Sequence, residues 1–302
     1  MSLPDGFRLS AAADADADAV AELMNACDPP EVLGERVTAE DVRSSWHDFG
    51  AAGTATFVLA QDGSPVGYLE VFGRPERVLL DGYVHPDFRG RGIGRAIVRL
   101  GEERARTIGS PVNSGTLALD GAARELFESE GWSLSRAFFR MTIALEGNER
   151  PPEAPAGLAL RTFEDSDAER FHATLEETFS DHWDFHPEPL EDFRRKAIES
   201  DDFDPSLWWL VLDGDEVAAA MRCTRKRFDM GWVNALGVRT FRRRRGLGEL
   251  LLRTAFAEFA RRGETRVGLG VDTENETGAT RLYERVGMRV AFRTNVFRKD
   301  LR

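Results

Sequence analysis

The chain has 302 residues, and 42% of them are hydrophobic, which is enough for two domain cores of ordinary size. Its formal net charge of -12 argues against a general nucleic-acid binder, which needs a broad cationic surface, and favours cationic small molecules. No apolar run reaches the roughly 20 residues of a membrane helix. The Ala- and Asp-rich start does not resemble a signal peptide, so we expect a cytoplasmic protein without a membrane partner.

The first half of the chain carries four landmarks in order. Residues 6–9 (Gly-Phe-Arg-Leu) predict a first strand, and Asp62-Gly63 predicts a hairpin turn. Residues 89–94 (Arg-Gly-Arg-Gly-Ile-Gly) form a glycine-rich turn that follows a strand-like run and opens a helix-like one. The pair Leu126-Phe127 follows later.

The second half repeats these landmarks at a nearly constant offset. The first two recur 151 residues later, the glycine-rich turn 154 later and the final pair 156 later, as small loop insertions would produce. One fold of about 150 residues is therefore used twice. Each copy reads as short strand, polar helical region, hairpin, strand, glycine turn, long helix, strand, short helix and final strand, which predicts an α/β fold.

The boundary between the copies is predicted from composition. Residues 147–157 are rich in Gly, Asn and Pro, which neither pack nor continue a helix, so they are interpreted as a linker. The predicted domains are 1–146 and 158–302.

The second copy gives clear element predictions. Leu207–Leu212 and Val217–Met221 flank a turn at Asp213-Gly214, and Trp232–Val238 is the next strand. Apolar residues at three- and four-residue steps predict an amphipathic helix over Gly248–Arg261.

The two glycine-rich turns predict an anion site in each copy. Unpaired backbone N–H groups and the positive end of a helix converge where glycine lets a ligand approach, which suits a pyrophosphate. A dinucleotide fingerprint would lie near the first strand, and a P-loop would have Gly-Lys followed by Ser or Thr, so both are disfavoured. A nucleic-acid patch at Arg242–Arg245 is less favoured than a phosphate loop, because the run stands at a strand-to-helix turn.

Both turns match a family motif. The GNAT superfamily of acyl-CoA-dependent N-acetyltransferases has Arg or Gln, two residues, Gly, one residue, then Gly or Ala. Residues 89–94 and 243–248 both fit it, and residues 275–288 resemble a second motif with Asn, Leu-Tyr and a Gly-hydrophobic pair. Over nearly its whole length the chain resembles the mycothiol synthase-like branch of two-domain bacterial acetyltransferases.

The resemblance implies two tandem domains, each a mixed, mostly antiparallel sheet flanked by helices, with acetyl-CoA as the acyl donor. It also implies a set of cofactor-binding residues, in the strand before each turn, in the turn and at the Asn motif. In the second copy these are Leu236, Val238, Arg243, Arg244, Arg245, Gly246, Leu247, Gly248, Glu249 and Asn275, and in the first copy Val84, Arg89, Gly90, Arg91, Gly92, Ile93 and Gly94.

Tyr283 is the predicted general acid, since the departing CoA sulfur needs a proton and a phenol at the end of a short helix can supply one. An aromatic packing residue is the alternative interpretation. The first copy has Phe127 there and Leu119 in place of Asn275. A phenyl ring cannot donate a proton, so we expect the first copy to be catalytically weak or silent, although it could still hold CoA.

His182, in the segment 181–186 that the resemblance places beside the acceptor pocket, is the candidate for substrate contact or general base. On a helix it would share a face with His186, as a metal pair requires, but no third ligand is apparent. Cys27 and Cys223 lie in different copies and support neither a disulfide framework nor a metal site. No metal is therefore predicted.

The predicted function is direct transfer of an acetyl group from acetyl-CoA to a primary amine of a small molecule or peptide, within a ternary complex. Two alternatives stay open, namely an O-acyl or other acyl-CoA transferase and a non-catalytic CoA sensor or scaffold. A monomer is favoured over a homodimer, because a tandem pair mimics a dimer internally.

Overall fold

The structure is a computed structural model that describes residues 3–29, 33–34, 36–49, 55–183, 185–275 and 277–301. The chain forms two compact units. Unit 1 comprises Met1–Phe139 and Ala291–Arg302, and unit 2 comprises Arg140–Val290.

Unit 1 contains the strands and helices of the first repeat, together with most of the last strand of the chain. Its strands are β1 (Arg8–Ala11), β2 (Thr56–Leu59), β3 (Pro65–Arg74), β4 (Arg77–Val84), β5 (Val112–Leu117), β6 as far as residue 139 (Ser133–Ala144) and β12 from residue 291 (Arg289–Lys299). Its helices are α1 (Ala17–Cys27), α2 (Ala39–Phe49), α3 (Ile93–Ile108) and α4 (Gly121–Ser129). The first five strands follow one another across the sheet, and β12 lies next to β5.

The sheet of unit 1 has an apolar cluster on each face, because side chains alternate along a strand. Val78 and Leu80 of β4 pack in the cluster that includes residues of α3 and α4. Leu79 and Tyr83, between and beyond them, pack against the cluster that includes residues of α1 and α2.

Unit 2 repeats the arrangement. Its strands are the remainder of β6, β7 (Leu158–Thr162), β8 (Trp208–Asp213), β9 (Glu216–Arg227), β10 (Met230–Val238) and β11 (Arg266–Asp272). Its helices are α5 (Ala168–Phe179), α6 (Leu190–Phe193), which continues into a π turn over Arg194–Ile198, α7 (Leu247–Arg261) and α8 (Ala279–Arg285). The sheet order is β11-β10-β9-β8-β7, antiparallel except for the β10–β11 pair.

The predicted α/β class, two copies of a mixed sheet flanked by helices, is confirmed. The predicted strand over Trp232–Val238 lies within β10, and the predicted amphipathic helix matches α7 to within one residue. The hairpin at Asp213-Gly214 joins β8 to β9. Trp208 and Trp209, adjacent on β8, are both buried.

The helical arrangement considered for His182 and His186 is wrong. Helix α5 ends at Phe179, and the N–H of His182 donates to the Phe179 carbonyl oxygen at 2.8 Å, which closes a turn. Pro187 removes a donor and disfavours helical geometry at His186, so the segment runs on without a helix. Asp184, in the same segment, lies outside the described residues.

The compact units do not coincide with the predicted domains 1–146 and 158–302, because unit 1 ends at residue 139 and resumes at residue 291. Strand β12 pairs antiparallel with β5 of unit 1 from Thr294↔Leu117 to Lys299↔Val112, so the chain's last residues satisfy backbone groups of the first repeat. Phe297 stacks on Phe127 at a ring distance of 5.2 Å. Such nonlocal pairing leaves no local signal, and the boundaries at 146 and 158 stay a prediction about the sequence repeat.

Among the described residues, none of the helices combines the length and apolar character required to cross a membrane.

Asp167, fully buried where α5 begins, anchors unit 2 through ionic hydrogen bonds. Arg161 donates to its two carboxylate oxygens at 2.6 and 2.7 Å, Arg170 Nε donates at 2.7 Å, and the Glu164 N–H donates at 2.8 Å. The hydrogen bonds from Arg161 are the largest cause that holds the pKa of Asp167 well below its usual value.

We expect Asp167→Asn to lower the free energy of unfolding by about 3 kcal/mol at pH 7, because two arginines lose a buried partner. A carboxyl with a lowered folded pKa stabilises the fold above its unfolded pKa, so the difference from wild type should shrink below about pH 4. Urea unfolding at pH 7 and pH 3.5 measures it. Asp16, the counterpart 151 residues earlier, accepts the Ala13 N–H at 2.8 Å. Asp16→Asn is therefore the control, and an equal loss in both variants would contradict the ionic contribution.

Candidate functional site

In each unit, one parallel strand pair separates after a short contact. Strands β10 and β11 pair at Gly231↔Val267 and Trp232↔Gly268, and β10 then continues to Val238. Strands β4 and β5 pair at Val78↔Val112 and Leu79↔Asn113. Beyond these positions the facing edges have no ladder between them among the described residues. Their backbone groups therefore need another partner, such as water or a ligand.

The turn that follows the separated strand has the same backbone conformation in both units. Gly90 and Gly92 have φ angles of 77° and 83°, and Arg244 and Gly246, each 154 residues later, have 62° and 78°. Arg244 adopts this left-handed conformation without being glycine, which is costly and typical of functional loops.

Each turn leads directly into a helix, α3 in unit 1 and α7 in unit 2, with Gly92 and Gly246 as the N-cap residues. The first N–H groups of a helix have no intrahelical acceptor, and the helix dipole adds positive potential. Both turns therefore present the donors that a phosphate group requires.

Glycine at position 248 lets α8 approach this helix closely. A Cβ placed on Gly248 would lie 2.6 Å from Leu282 Cδ2 and 3.7 Å from a Leu236 methyl group. The equivalent Gly94 would place a Cβ 3.1 Å from Leu126 Cδ2. Tyr283, the residue after Leu282, is thereby held on a helix that packs against the phosphate loop.

The side chain of Tyr283 is 8% exposed, and its burial raises the phenol pKa to about 12. No hydrogen bond joins its hydroxyl to any of the residues that the structure describes, so the group can donate to a ligand. Phe127, the equivalent residue of unit 1, packs instead between Phe297 and Trp132, at ring distances of 5.2 and 5.1 Å.

His182 lies beside the phosphate loop of unit 2. Burial lowers the pKa of its half-buried imidazole, Asp272 and Asp181 oppose that shift, and Arg243 adds to it. Arg243 itself donates from Nε to the Val238 carbonyl oxygen at 3.1 Å. The imidazole is therefore mainly neutral at pH 7, as a general base must be.

Asn275 has a local structural role. Its Oδ1 accepts the N–H of Thr277 at 2.9 Å and also the Thr277 hydroxyl, which shapes the turn before α8. Its amide oxygen is thus already engaged. The neighbouring Glu276 lies outside the described residues.

The remaining predicted residues divide between packing and surface. Leu247 is buried, Arg244 and Arg245 are exposed, and Glu249 pairs with Arg253 at 2.8 Å. In unit 1, Ile93 is buried, while Arg91 lies over the Phe88 ring at 4.8 Å. The Val84 carbonyl oxygen accepts a hydrogen bond from Cys27 Sγ at 3.3 Å. The carbonyls of Val84 and Val238 are therefore both engaged within the protein.

A cavity of about 230 Å³ opens beside the phosphate loop of unit 1, between the ends of α1 and β5. It is lined by Cys27, Asp28, Pro29, Leu33, Arg89, Leu117, Leu119, Asp120 and Gly121. The Arg89 guanidinium lies 3.5 Å from Asp120. Burial, and then Asp120, raise the pKa of Asp28 to about 6, against the opposing effect of Arg89.

Two further carboxyl groups, those of Glu70 and Asp81, lie on β3 and β4 of the same unit. Glu70, 2% exposed, accepts hydrogen bonds from Tyr68 at 2.6 Å and Trp46 at 2.9 Å. Burial, and then the charges of Glu70 and Asp28, raise the pKa of Asp81 to about 7. Sequence reasoning missed this acidic group. Its members lie far apart in the chain, at residues 28, 70 and 81, so no local pattern signals the group.

Both cysteines are free thiols, Cys27 partly buried and Cys223 buried. Burial raises the pKa of Cys27 to about 12, and the same effect raises that of the fully enclosed Cys223 further. Within the described part of the chain, no three His, Cys, Asp or Glu side chains are grouped so as to hold a metal ion.

Each unit has a separated strand pair, a glycine turn at a helix N-terminus and a second helix packed on that turn. This combination defines an acyltransferase of the α/β class, here built twice. The profile of the acetyltransferase (GNAT) family matches residues 17–132 and 169–288, so the chain belongs to this family, as a tandem acetyltransferase.

Named relatives and solved structures agree with this assignment. The chain is 33% identical to the mycothiol acetyltransferase of Thermobispora bispora, over 79% of this chain and 82% of that protein. It is 34% identical to that of Kineococcus radiotolerans, over 80% and 76%. A GCN5-related N-acetyltransferase from Sphaerobacter thermophilus superposes with a TM-score of 0.87 at 33% identity, over 100% of this chain and 98% of that one. A tandem GNAT protein of clavulanic acid biosynthesis shares the fold, with a TM-score of 0.73 at 18% identity over 98% and 99%.

The buried acids of unit 1 predict a pH-dependent stability. Folded Asp81 and Asp28 keep protons that the unfolded chain releases above about pH 4, so their contribution to stability falls as the pH rises from 4 to 7. Asp81→Asn should flatten this dependence, by up to about 1.4 kcal/mol per pH unit for each proton. Urea unfolding across this range measures the slope.

Asp62→Asn is the control for this experiment. Hydrogen bonds from Ser64 lower the pKa of Asp62, so its contribution to stability is constant above about pH 4 and its loss should leave the slope between pH 4 and 7 unchanged. An unchanged slope in Asp81→Asn would show that Asp81 is not the group responsible.

Proposed function

We propose that unit 2 transfers an acetyl group from acetyl-CoA to a primary amine of a small molecule, by direct attack within a ternary complex. The observation that carries this proposal is the buried Tyr283 hydroxyl, which lacks a hydrogen bond among the described residues and sits on a helix packed against the phosphate loop. Relatives named mycothiol acetyltransferases support acetyl transfer and favour a small-molecule acceptor.

The phosphate loop and the separated strand are the proposed site for acetyl-CoA. Backbone N–H groups from Arg244 to Glu249 would hold the pyrophosphate at the start of α7. The edge of β10 would offer the backbone groups of Leu236 and the N–H of Val238 to the pantetheine amides, since the Val238 carbonyl oxygen already accepts from Arg243. The left-handed geometry at Arg244 and Gly246 supports this use, because it turns successive N–H groups toward one side of the loop.

His182 is the proposed general base. An amine that arrives as an ammonium ion must lose a proton before it attacks, and a neutral imidazole can accept that proton. Its burial favours the neutral form, and Asp272 and Asp181 stabilise the imidazolium that forms. The charge of Arg243 acts on this imidazole, so the base is close to the loop assigned to the cosubstrate.

Tyr283 completes the proton balance. As the amine nitrogen forms its bond to the acetyl carbon, the carbon–sulfur bond breaks and the sulfur leaves with the electron pair. The Tyr283 hydroxyl donates its proton to that sulfur. The acylated nitrogen then loses its second proton, which restores the phenol through solvent, and His182 releases the proton taken from the ammonium ion. Alignment of the reactants in the cleft supplies much of the remaining rate.

Turnover is assigned to unit 2 because unit 1 lacks these groups. Phe127 replaces the phenol and is locked between two aromatic rings, and the exposed Leu119 stands where the repeat places Asn275. A cytoplasmic location and a monomeric state stay part of this proposal.

We expect Tyr283→Phe to lower turnover about 100-fold, as loss of a general acid typically does, with little change in the affinity for acetyl-CoA. Release of the CoA thiol reports turnover, and calorimetry reports affinity. Tyr83→Phe removes a phenol from unit 1 and should leave turnover unchanged. Full turnover in Tyr283→Phe would eliminate the acid role.

We expect His182→Gln to lower kcat/KM about 100-fold. In the wild type, kcat/KM should rise with pH through the lowered pKa of His182, below its usual 6.5, because only the neutral imidazole accepts a proton. This acidic limb should disappear in the variant. His186→Gln, four residues away, is the control, and an acidic limb that persists in His182→Gln would assign the base elsewhere.

A further inference from the structure

On the face of the unit 1 sheet that packs against α1 and α2, several carboxyl groups lie near one another. The described side chains do not supply enough positive charge to balance them. Asp28, Glu70 and Asp81 influence one another electrostatically, and Asp120 lines the same cavity as Asp28. We propose that unit 1 binds a small primary amine as its ammonium ion, between Asp28, Asp81 and Asn113, at a site separate from the proposed reaction centre of unit 2.

The cavity lies next to this site, because Asp28 lines it and the charge of Asp28 acts on Asp81. It has a volume of about 230 Å³ and reaches from Asp28, just past the end of α1, to Leu117 at the end of β5. Arg89 is the cation in its wall, but it lies 3.5 Å from Asp120 and its side chain is 44% exposed. The positive charge of Arg89 is therefore shared between Asp28 and Asp120 and is partly exposed to solvent.

The second carboxyl group comes from β4. Asp81 is opposite Glu70 in the β3–β4 register, and it lies on the face of β4 that also carries Leu79 and Tyr83. Glu70 is satisfied by Trp46 and Tyr68, whereas the hydrogen bonds to Asp81 come from Tyr83 and the Gly82 backbone, which are neutral. Asp81 therefore lacks a positively charged partner among the described side chains.

Asn113 is an independent sign of a missing donor. Its side chain is 3% exposed, and its Oδ1 is buried without a hydrogen-bond partner. It pairs with Leu79 at the last rung before β5 separates from β4, which places its side chain on the face shared by Asp81 and Leu117. An unpaired buried carbonyl is costly, and an ammonium group brings three donors for such acceptors.

The second repeat shows that the fold does not require these acids. The offset of 151 for the first part of the repeat places Phe179 at the position of Asp28, and the offset of 154 near the glycine turn places Ala235 at that of Asp81. In the strand register, Arg222 stands opposite Ala235 as Glu70 stands opposite Asp81. The same architecture is thus built without the three carboxylates, so their presence in unit 1 reflects a ligand requirement.

The raised pKa values agree with this interpretation. Burial raises the pKa of Asp28 to about 6 and that of Asp81 to about 7. Asp28 faces Asp120 and Arg89, and Asp81 faces Glu70, Asp28 and Tyr83. An ammonium ion would favour the ionised carboxylates, so amine binding should strengthen as the pH rises from 5.5 to 8.

Calorimetric titration of the full chain with putrescine at pH 8 tests the site, with 1,4-butanediol as the uncharged probe of the same length. We expect putrescine to bind and the diol not to bind. Asp28→Asn and Asp81→Asn should each weaken putrescine binding at least 10-fold. Asp5→Asn, which removes the same charge at an exposed position of unit 1, should leave binding unchanged.

Folding of each variant is checked by its melting temperature. Asp28 is only partly buried, so Asp28→Asn keeps the test decisive if Asp81→Asn fails to fold. Equal affinity in wild type and Asp28→Asn, equal binding of the diol, or an absence of putrescine binding at pH 8 would each overturn the proposal. The readout is the loss of putrescine binding caused by the unit 1 variants, so it stands or fails independently of acetyl transfer in unit 2.

Discussion

The early end of one parallel strand pair is the constraint on which both units depend. After two paired positions, β10 leaves β11 and β4 leaves β5, and the freed strand edge cannot be satisfied by the sheet. The strand must then turn sharply into a helix, which explains the left-handed residues at 90, 92, 244 and 246. The separated edges and the helix N-terminus together create a cleft that suits an extended ligand with a phosphate at one end. Close packing at Gly94 and Gly248 holds the short helix against that cleft.

Around this shared frame the two units differ in chemistry. Unit 2 places a buried phenol and a half-buried imidazole near its loop, at Tyr283 and His182. Unit 1 places an aromatic packing residue at the position of Tyr283, and it holds a carboxyl group with a raised pKa, Asp28, beside its own loop. Buried carboxyl groups of this kind reduce stability at neutral pH, whereas the Asp167 cluster of unit 2 increases it. The first unit therefore retains carboxyl groups that lower its stability at neutral pH.

The last strand, β12, connects the first repeat to the end of the chain by pairing with β5. Lys299 of β12 donates to Glu102 at 2.7 Å and to the Glu130 carbonyl oxygen at 2.6 Å. Phe297 completes the aromatic stack on Phe127. A fragment that ended at residue 146 would lack all of these contacts, so the sequence repeat and the compact unit are different objects in this protein.

The repeat, the fold class and the two phosphate turns were determined by the sequence itself, because glycine at fixed spacing and alternating apolar patterns are local signals. The family motif likewise pointed to Tyr283 and the loop. Tertiary structure alone decided that β12 pairs with β5 of unit 1, that the described residues of the segment 181–186 are not helical, and that Asp28, Glu70 and Asp81 act on one another. These features depend on contacts between residues far apart in the chain and on the loss of solvent around charged groups. No local pattern records either of them.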